Sequence, residues 1–212
     1  MQTDAENMAP VFDARVIPVL VVRDAARAAP LGQALMDNGL ALAEVTLRTP
    51  AAVEVIAALH ELGGLRVGAG TVLNAKQAEA AVKAGAGFLV SPALHEDVIA
   101  YAQSANVPVV PGIATPSEIA RAMALGLELV KFFPAEALGG VKLLGALGSV
   151  YPQMGLVPTG GIHPGNLLEY LALPNVVACG GSWMAPARLV DEGSFDEIGR
   201  LVREAVELSH DP

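Results

Sequence analysis

The chain has one cysteine, Cys179, so it can form no internal disulfide. That residue sits in the apolar run Val176-Val177-Ala178-Cys179 and reads as a buried core thiol in a reducing compartment. Aromatic residues are scarce at 4% while apolar residues reach 53%, so the core must be built from Ala, Val, Leu and Ile. Side chains of that size suit α/β packing. Positive charge is also short. A formal net charge of -9 argues against nucleic acid and an anionic membrane surface as partners, and an anionic small molecule would need a local cationic pocket. No apolar run is long enough to cross a bilayer without charge or proline. The acidic, polar start Met1-Gln2-Thr3-Asp4-Ala5-Glu6 lacks the apolar segment of a secretion signal, so a cytoplasmic location is expected.

What the chain does have is one repeated theme: a short apolar strand, then an amphipathic helix that ends at glycine. Strands are predicted at Val16 to Val22, Leu42 to Leu47, Leu65 to Gly68, Phe88 to Val90, Val107 to Val110, Leu127 to Pro134, Leu156 to Pro158 and Val176 to Cys179. Helices are predicted between them, with starts at Asp24, Thr49-Pro50, Asn74, His95, Thr115-Pro116, Val141 and His163, and a last helix over Phe195 to Leu208. Each strand is too apolar to face water on either side, which implies a parallel sheet covered by helices. An α/β fold closed into a (β/α)8 TIM barrel is the simplest outcome, as a single domain over residues 1–212 with a short N-terminal helical extension. The alternative is an open doubly wound sheet. Its dinucleotide-binding form expects glycines on the first strand–helix turn, and Val22-Arg23-Asp24-Ala25 has none.

Lysine is scarce too, and one of the four is out of place. Lys76 and Lys83 lie on a predicted helix and Lys142 in a polar turn, whereas Lys131 interrupts the apolar run Leu127-Glu128-Leu129-Val130-Lys131-Phe132-Phe133-Pro134. A lysine inside such a run is either paired or used. Strand parity puts Leu129, Lys131 and Phe133 on one face, and on the second strand it groups Glu44, Thr46 and Arg48. A low-dielectric interior disfavours an ammonium, and a neutral amine is a nucleophile for carbonyl groups. Glu44 is then a candidate proton shuttle, and Arg48 offers a bidentate fork for a carboxylate. The same pattern also fits a buried Lys131–Glu44 ion pair that only ties two strands together. Thr71, after Gly68-Ala69-Gly70, lies where a hydroxyl and backbone donors meet the same anion.

A second site is indicated by Thr159-Gly160-Gly161-Ile162-His163-Pro164-Gly165-Asn166 at the end of the seventh strand, matched by Gly180-Gly181-Ser182 after the eighth. Glycine turns at these two places let a phosphate approach the backbone. His60, His95, His163 and His210 are scattered, with no paired spacing and no cysteine partner, which gives no support to a metal-dependent reaction.

The segments Glu44-Val45-Thr46-Leu47-Arg48-Thr49, Gly68-Ala69-Gly70-Thr71-Val72-Leu73, Val90-Ser91-Pro92, Lys131-Phe132-Phe133-Pro134-Ala135-Glu136, Pro158-Thr159-Gly160-Gly161-Ile162 and Gly180-Gly181-Ser182-Trp183 resemble the 2-keto-3-deoxy-6-phosphogluconate (KDPG) aldolases. That group overlaps with the 4-hydroxy-2-oxoglutarate (KHG) aldolases. The resemblance covers nearly the whole chain from about Val16, with motifs in order on separate strands. It implies a class I lyase of the Entner–Doudoroff pathway on a TIM barrel, a homotrimer acting on a small keto-acid phosphate with no metal or organic cofactor. Lys131 would form the Schiff base with pyruvate, and Glu44 would be the general acid and base. Arg48 and Thr71 would hold the carboxylate, Pro92 and Phe133 would pack against the keto acid, and Thr159 would place it. Gly160, Gly161, Gly181 and Ser182 would bind the phosphate, with Arg23 nearby. The form of the second-strand motif is closer to the phosphogluconate branch than to the phosphogalactonate branch. Cleavage of KHG, cleavage of the galactonate epimer, and a non-catalytic sugar-phosphate-binding barrel remain the alternatives.

Overall fold

Glutamate and lysine at the middle of two strands shape the architecture, because both must point into an interior that the other strands close. The computed structural model describes residues 13–210. The predicted N-terminal helical extension lies outside the described residues, apart from Asp13 and Ala14, which are helical. The strands are β1 (Val16–Leu20), β2 (Leu42–Thr46), β3 (Arg66–Gly70), β4 (Phe88–Val90), β5 (Val109–Val110), β6 (Gly112–Ile113), β7 (Leu129–Phe132), β8 (Gly155–Pro158) and β9 (Cys179–Gly181). The helices are α1 (Ala28–Asp37), α2 (Ala52–Leu62), α3 (Ala75–Lys83), α4 (Glu96–Ala105), α5 (Pro116–Ala124), α6 (Ala135–Leu138), α7 (Gly140–Val150), α8 (Leu167–Leu171), α9 (Ala187–Glu192) and α10 (Phe195–Ser209).

All strand pairs are parallel, in one sheet of order β5-β4-β3-β2-β1-β9 and a second of order β6-β7-β8. Two junctions join them into a barrel. Pro111, which has no N–H to donate, separates β5 from β6 and passes the chain from one sheet to the other. On the other side, single bridges pair Leu156 with Val176 and Thr159 with Gly180. With β5 and β6 taken as one interrupted strand, β2 and β7 stand on opposite walls.

Alternation along each strand divides the core in two. Ala43, Val45, Val130 and Phe132 point outward and pack with the helices, while Ile17, Leu42, Phe88, Val90, Val110, Leu129, Val157 and Ala178 fill the lower barrel interior. Helix starts account for much of the register. Thr115 and Glu118 form a reciprocal capping box at α5, and Asn74 accepts the Gln77 N–H at 2.9 Å to open α3. Thr49 departs from expectation. Its hydroxyl donates to the Val22 carbonyl at 2.6 Å, tying the second strand–helix loop to the first, and α2 begins at Ala52 without a side-chain cap.

Candidate active site

Lys131 and Glu44 meet across the barrel interior. Lys131 is 6% exposed and Glu44 3%, and Nζ stands 3.4 Å from Oε1. Their strands present them above the apolar layer formed by Leu42 and Leu129, two residues earlier on each strand. Gly70 on β3 makes room: a Cβ at that position would fall on the Glu44 carboxylate. The Phe133 ring centroid lies 5.4 Å from Nζ, so the amine has an aromatic face on one side and a carboxylate on another.

Next to this pair is a cavity of about 200 Å³ lined by Val19, Arg48, Phe133, Thr159, Gly160, Gly161, Ile162, Gly181 and Ser182. Seven residues singled out from sequence therefore share one wall, although they come from four separate loops. Phe133 belongs to both the cavity and the surroundings of Lys131. Arg48 is exposed, its Nε donates to Thr46 Oγ1 at 3.2 Å, and it has no carboxylate partner among the described residues. Thr46 in turn donates to the Leu20 carbonyl at 2.8 Å, which fixes the oxygen that orients Arg48. A larger cavity of about 470 Å³ at the opposite, N-terminal end of β7 and β8 contains none of these groups.

Thr71 and Pro92 follow β3 and β4 at the same end of the barrel but do not line the small cavity. Thr71 has φ +57°, a left-handed conformation that costs a β-branched residue on the order of 1–3 kcal/mol and recurs at ligand sites. Arg23 is held elsewhere: its Nη1 pairs with Asp191 at 2.5 Å, outside the cavity lining. Val19 and Ile162 were not anticipated from sequence. The alternation that placed Glu44 would also have placed Val19, two residues from Ile17 of the interior layer. Trp183 packs its ring on Gly181, where a Cβ would lie within the indole, and its buried Nε1 has no acceptor among the described residues.

Two further groups shift with burial. The Cys179 thiol, enclosed at the start of β9, is pushed up to about 12. Tyr170 on α8 is raised by burial and by its hydrogen bond to Glu136. Among the described residues no three His, Cys, Asp or Glu side chains gather as metal ligands do, and no helix is long and apolar enough to cross a membrane.

The family pattern of KDPG and KHG aldolases matches residues 9–201. The chain belongs to that family. The KHG/KDPG aldolase of Escherichia coli K12 is 47% identical over 207 residues, covering 97% of this chain and 96% of the relative. The KDPG aldolase of Zymomonas mobilis ZM4, solved with 3-phosphoglycerate, superposes with a TM-score of 0.90 at 41% identity, covering 96% of each chain. A KDPG aldolase of Legionella pneumophila, with pyruvate captured at low pH as a covalent carbinolamine intermediate, superposes with a TM-score of 0.89 at 38% identity, covering 96% of this chain and 97% of the other. Family membership at this coverage identifies the fold as the TIM barrel of the KDPG aldolases.

Proposed function

We propose that this KDPG/KHG-family chain is a class I aldolase that cleaves 2-keto-3-deoxy-6-phosphogluconate to pyruvate and glyceraldehyde 3-phosphate through an imine on Lys131. The observation that carries the reading is a buried amine 3.4 Å from a buried carboxylate, beside a cavity that ends in two glycine turns. Glu44 takes a proton from the lysine, and the neutral amine adds to the C2 carbonyl. Loss of water, with Glu44 supplying the proton, gives the imine. Glu44 then removes the C4 hydroxyl proton as the C3–C4 bond breaks, and the electron pair passes into the imine to form an enamine. Protonation at C3 and hydrolysis release pyruvate and restore the amine.

Arg48 and Thr71 hold the carboxylate, Pro92 and Phe133 flank the keto acid, and Thr159 positions it. Gly160, Gly161, Gly181 and Ser182 take the phosphate through backbone and hydroxyl donors. Arg23 reaches the phosphate only by leaving Asp191. The carbinolamine in the Legionella protein and the 3-phosphoglycerate in the Zymomonas protein support covalent capture of pyruvate and a phosphate end. The double name of the E. coli relative favours 4-hydroxy-2-oxoglutarate as a second substrate. The proposal extends to one barrel domain over the whole chain, work in the cytoplasm in the Entner–Doudoroff pathway, and a homotrimer. Light scattering at three times the 21.7 kDa of one chain would bear out the trimer.

Borohydride reduction in the presence of pyruvate, read by mass spectrometry, tests the chemistry. An adduct on Lys131 that disappears in Lys131→Ala is expected. No adduct on the wild-type protein would leave a sugar-phosphate-binding barrel with a structural ion pair. Comparing kcat/KM for the two keto acids ranks the substrates, and a clear preference for 4-hydroxy-2-oxoglutarate would make the phosphorylated keto acid the secondary one.

A further inference from the structure

We infer that Glu136 and Tyr170 are positioning residues for the Gly160-Gly161 turn, holding it in the shape that accepts the phosphorylated end of the substrate. This rests on the aldolase reading above. The turn's carbonyls are tied back into the protein. Thr159 O accepts from Ala135 N at 2.8 Å, Gly160 O from Glu136 N at 3.1 Å, and Gly161 O from Asn166 Nδ2 at 3.1 Å. The Gly161 and Ile162 N–H groups have no acceptor among the described residues, so the donors are what the turn leaves for an anion.

Glu136 braces the turn from behind. Gly160 and Gly161 have φ +98° and +84°, and a Cβ on Gly161 would stand 2.5 Å from Glu136 Cγ and 2.6 Å from its Cβ. The turn therefore rests directly on the Glu136 stem. That stem is fixed in turn by Tyr170, whose hydroxyl donates to Oε1 from a side chain that is fully buried on α8. Gly140 keeps the space for this contact, since a Cβ there would lie 3.0 Å from Glu136 Oε1 and 3.1 Å from Tyr170 Oη. Tyr170 is held as the protonated donor by its burial and by the carboxylate it serves. The brace spans the segment just after Lys131 and the helix just after the turn. A carboxylate beside a phosphate site is electrostatically unhelpful. Its use here is as an acceptor for Tyr170, a use that glutamine also satisfies.

The test is condensation of pyruvate with D-glyceraldehyde 3-phosphate or with D-glyceraldehyde, which differ by the phosphate alone. Tyr170→Phe and Glu136→Ala are expected to raise KM for the phosphorylated aldehyde by about five- to tenfold, the factor set by one lost hydrogen bond, with kcat within about twofold of wild type. Their kcat/KM for glyceraldehyde should stay within about twofold, and Glu136→Gln should show a phosphorylated-aldehyde KM at or below that of wild type. Equal losses on both aldehydes, no loss on either, or a Glu136→Gln as impaired as Glu136→Ala would overturn the inference. If the wild-type protein traps no pyruvate on Lys131, the aldolase reading has failed separately. Calorimetric titration with inorganic phosphate then reads the brace: weaker binding by a similar factor in Tyr170→Phe supports it, and unchanged binding overturns it.

Discussion

Lys131→Met removes the cation from a pair that spans the barrel, and its effect on stability can be worked from the geometry. At 3.4 Å and an effective dielectric of about 20 the attraction is about 5 kcal/mol. Both groups are nearly fully enclosed, and Glu44 would be left as a buried carboxylate without its cation. Breaking a buried pair in this way costs about 3–5 kcal/mol. For a chain of 212 residues that corresponds to a fall in Tm of about 6–20 °C. Replacing both partners with unbranched apolar residues, Glu44→Met/Lys131→Met, removes the desolvation penalty as well, and the double variant is expected within about 1 kcal/mol of wild type. Urea unfolding followed by far-ultraviolet circular dichroism on the four members of the cycle measures the coupling. A loss below about 1 kcal/mol for Lys131→Met, or a double variant no more stable than that single one, would refute the reasoning.

Glu44→Gln keeps the shape of the site but cannot move protons, and turnover of the keto-acid phosphate should fall by at least about a hundredfold; a near-normal steady-state rate would assign the protons to another group. Gly70→Ala should displace the Glu44 carboxylate, costing about 1–3 kcal/mol in chemical denaturation and a still larger share of activity; full activity would mean that the carboxylate has room the structure does not show. Burial raises the Cys179 thiol to about 12, so at pH 8 only about one thiol in ten thousand is ionised. Thiol-disulfide reagents should therefore leave the native protein untouched and react only on unfolding, and labelling of the native protein within minutes would contradict the enclosed position.

The strands were legible because parallel sheets covered by helices read as short apolar runs, and parity alone put Glu44 and Lys131 on interior faces. Errors fall where tertiary contact overrides local signal. The eighth strand is Cys179–Gly181 rather than Val176 to Cys179, because Val176 makes only a single bridge while the glycines pair with β1. Likewise β3 runs on through Gly68 and Gly70, whose missing side chains make room for Phe88 and Glu44. Glycine lowers strand propensity, and only the opposing side chains explain its use. The helix predicted from His163 begins at Leu167, since His163 and Asn166 are occupied in turn hydrogen bonds. The one-turn α6 and the short α9 are too brief for periodicity to reveal. At the site, the glycine turns were visible from their place after the last strands. The Arg23–Asp191 pair, 168 residues apart in sequence, was not.

The interruption at Pro111 has a mechanical side. Hydrogen bonding around the barrel runs in two panels, β9 through β5 and β6 through β8, joined on one side by the chain through Pro111, whose carbonyl accepts from Lys131 N at 2.9 Å, and on the other by isolated bridges. Glu44 belongs to one panel and Lys131 to the other. Breathing between the panels therefore changes the gap between amine and carboxylate, and the ion pair is a tie-rod from one panel to the other. Amide exchange should be fastest along the junctions between the panels and slowest at the centre of β1 to β3, and loss of the tie-rod should widen that contrast.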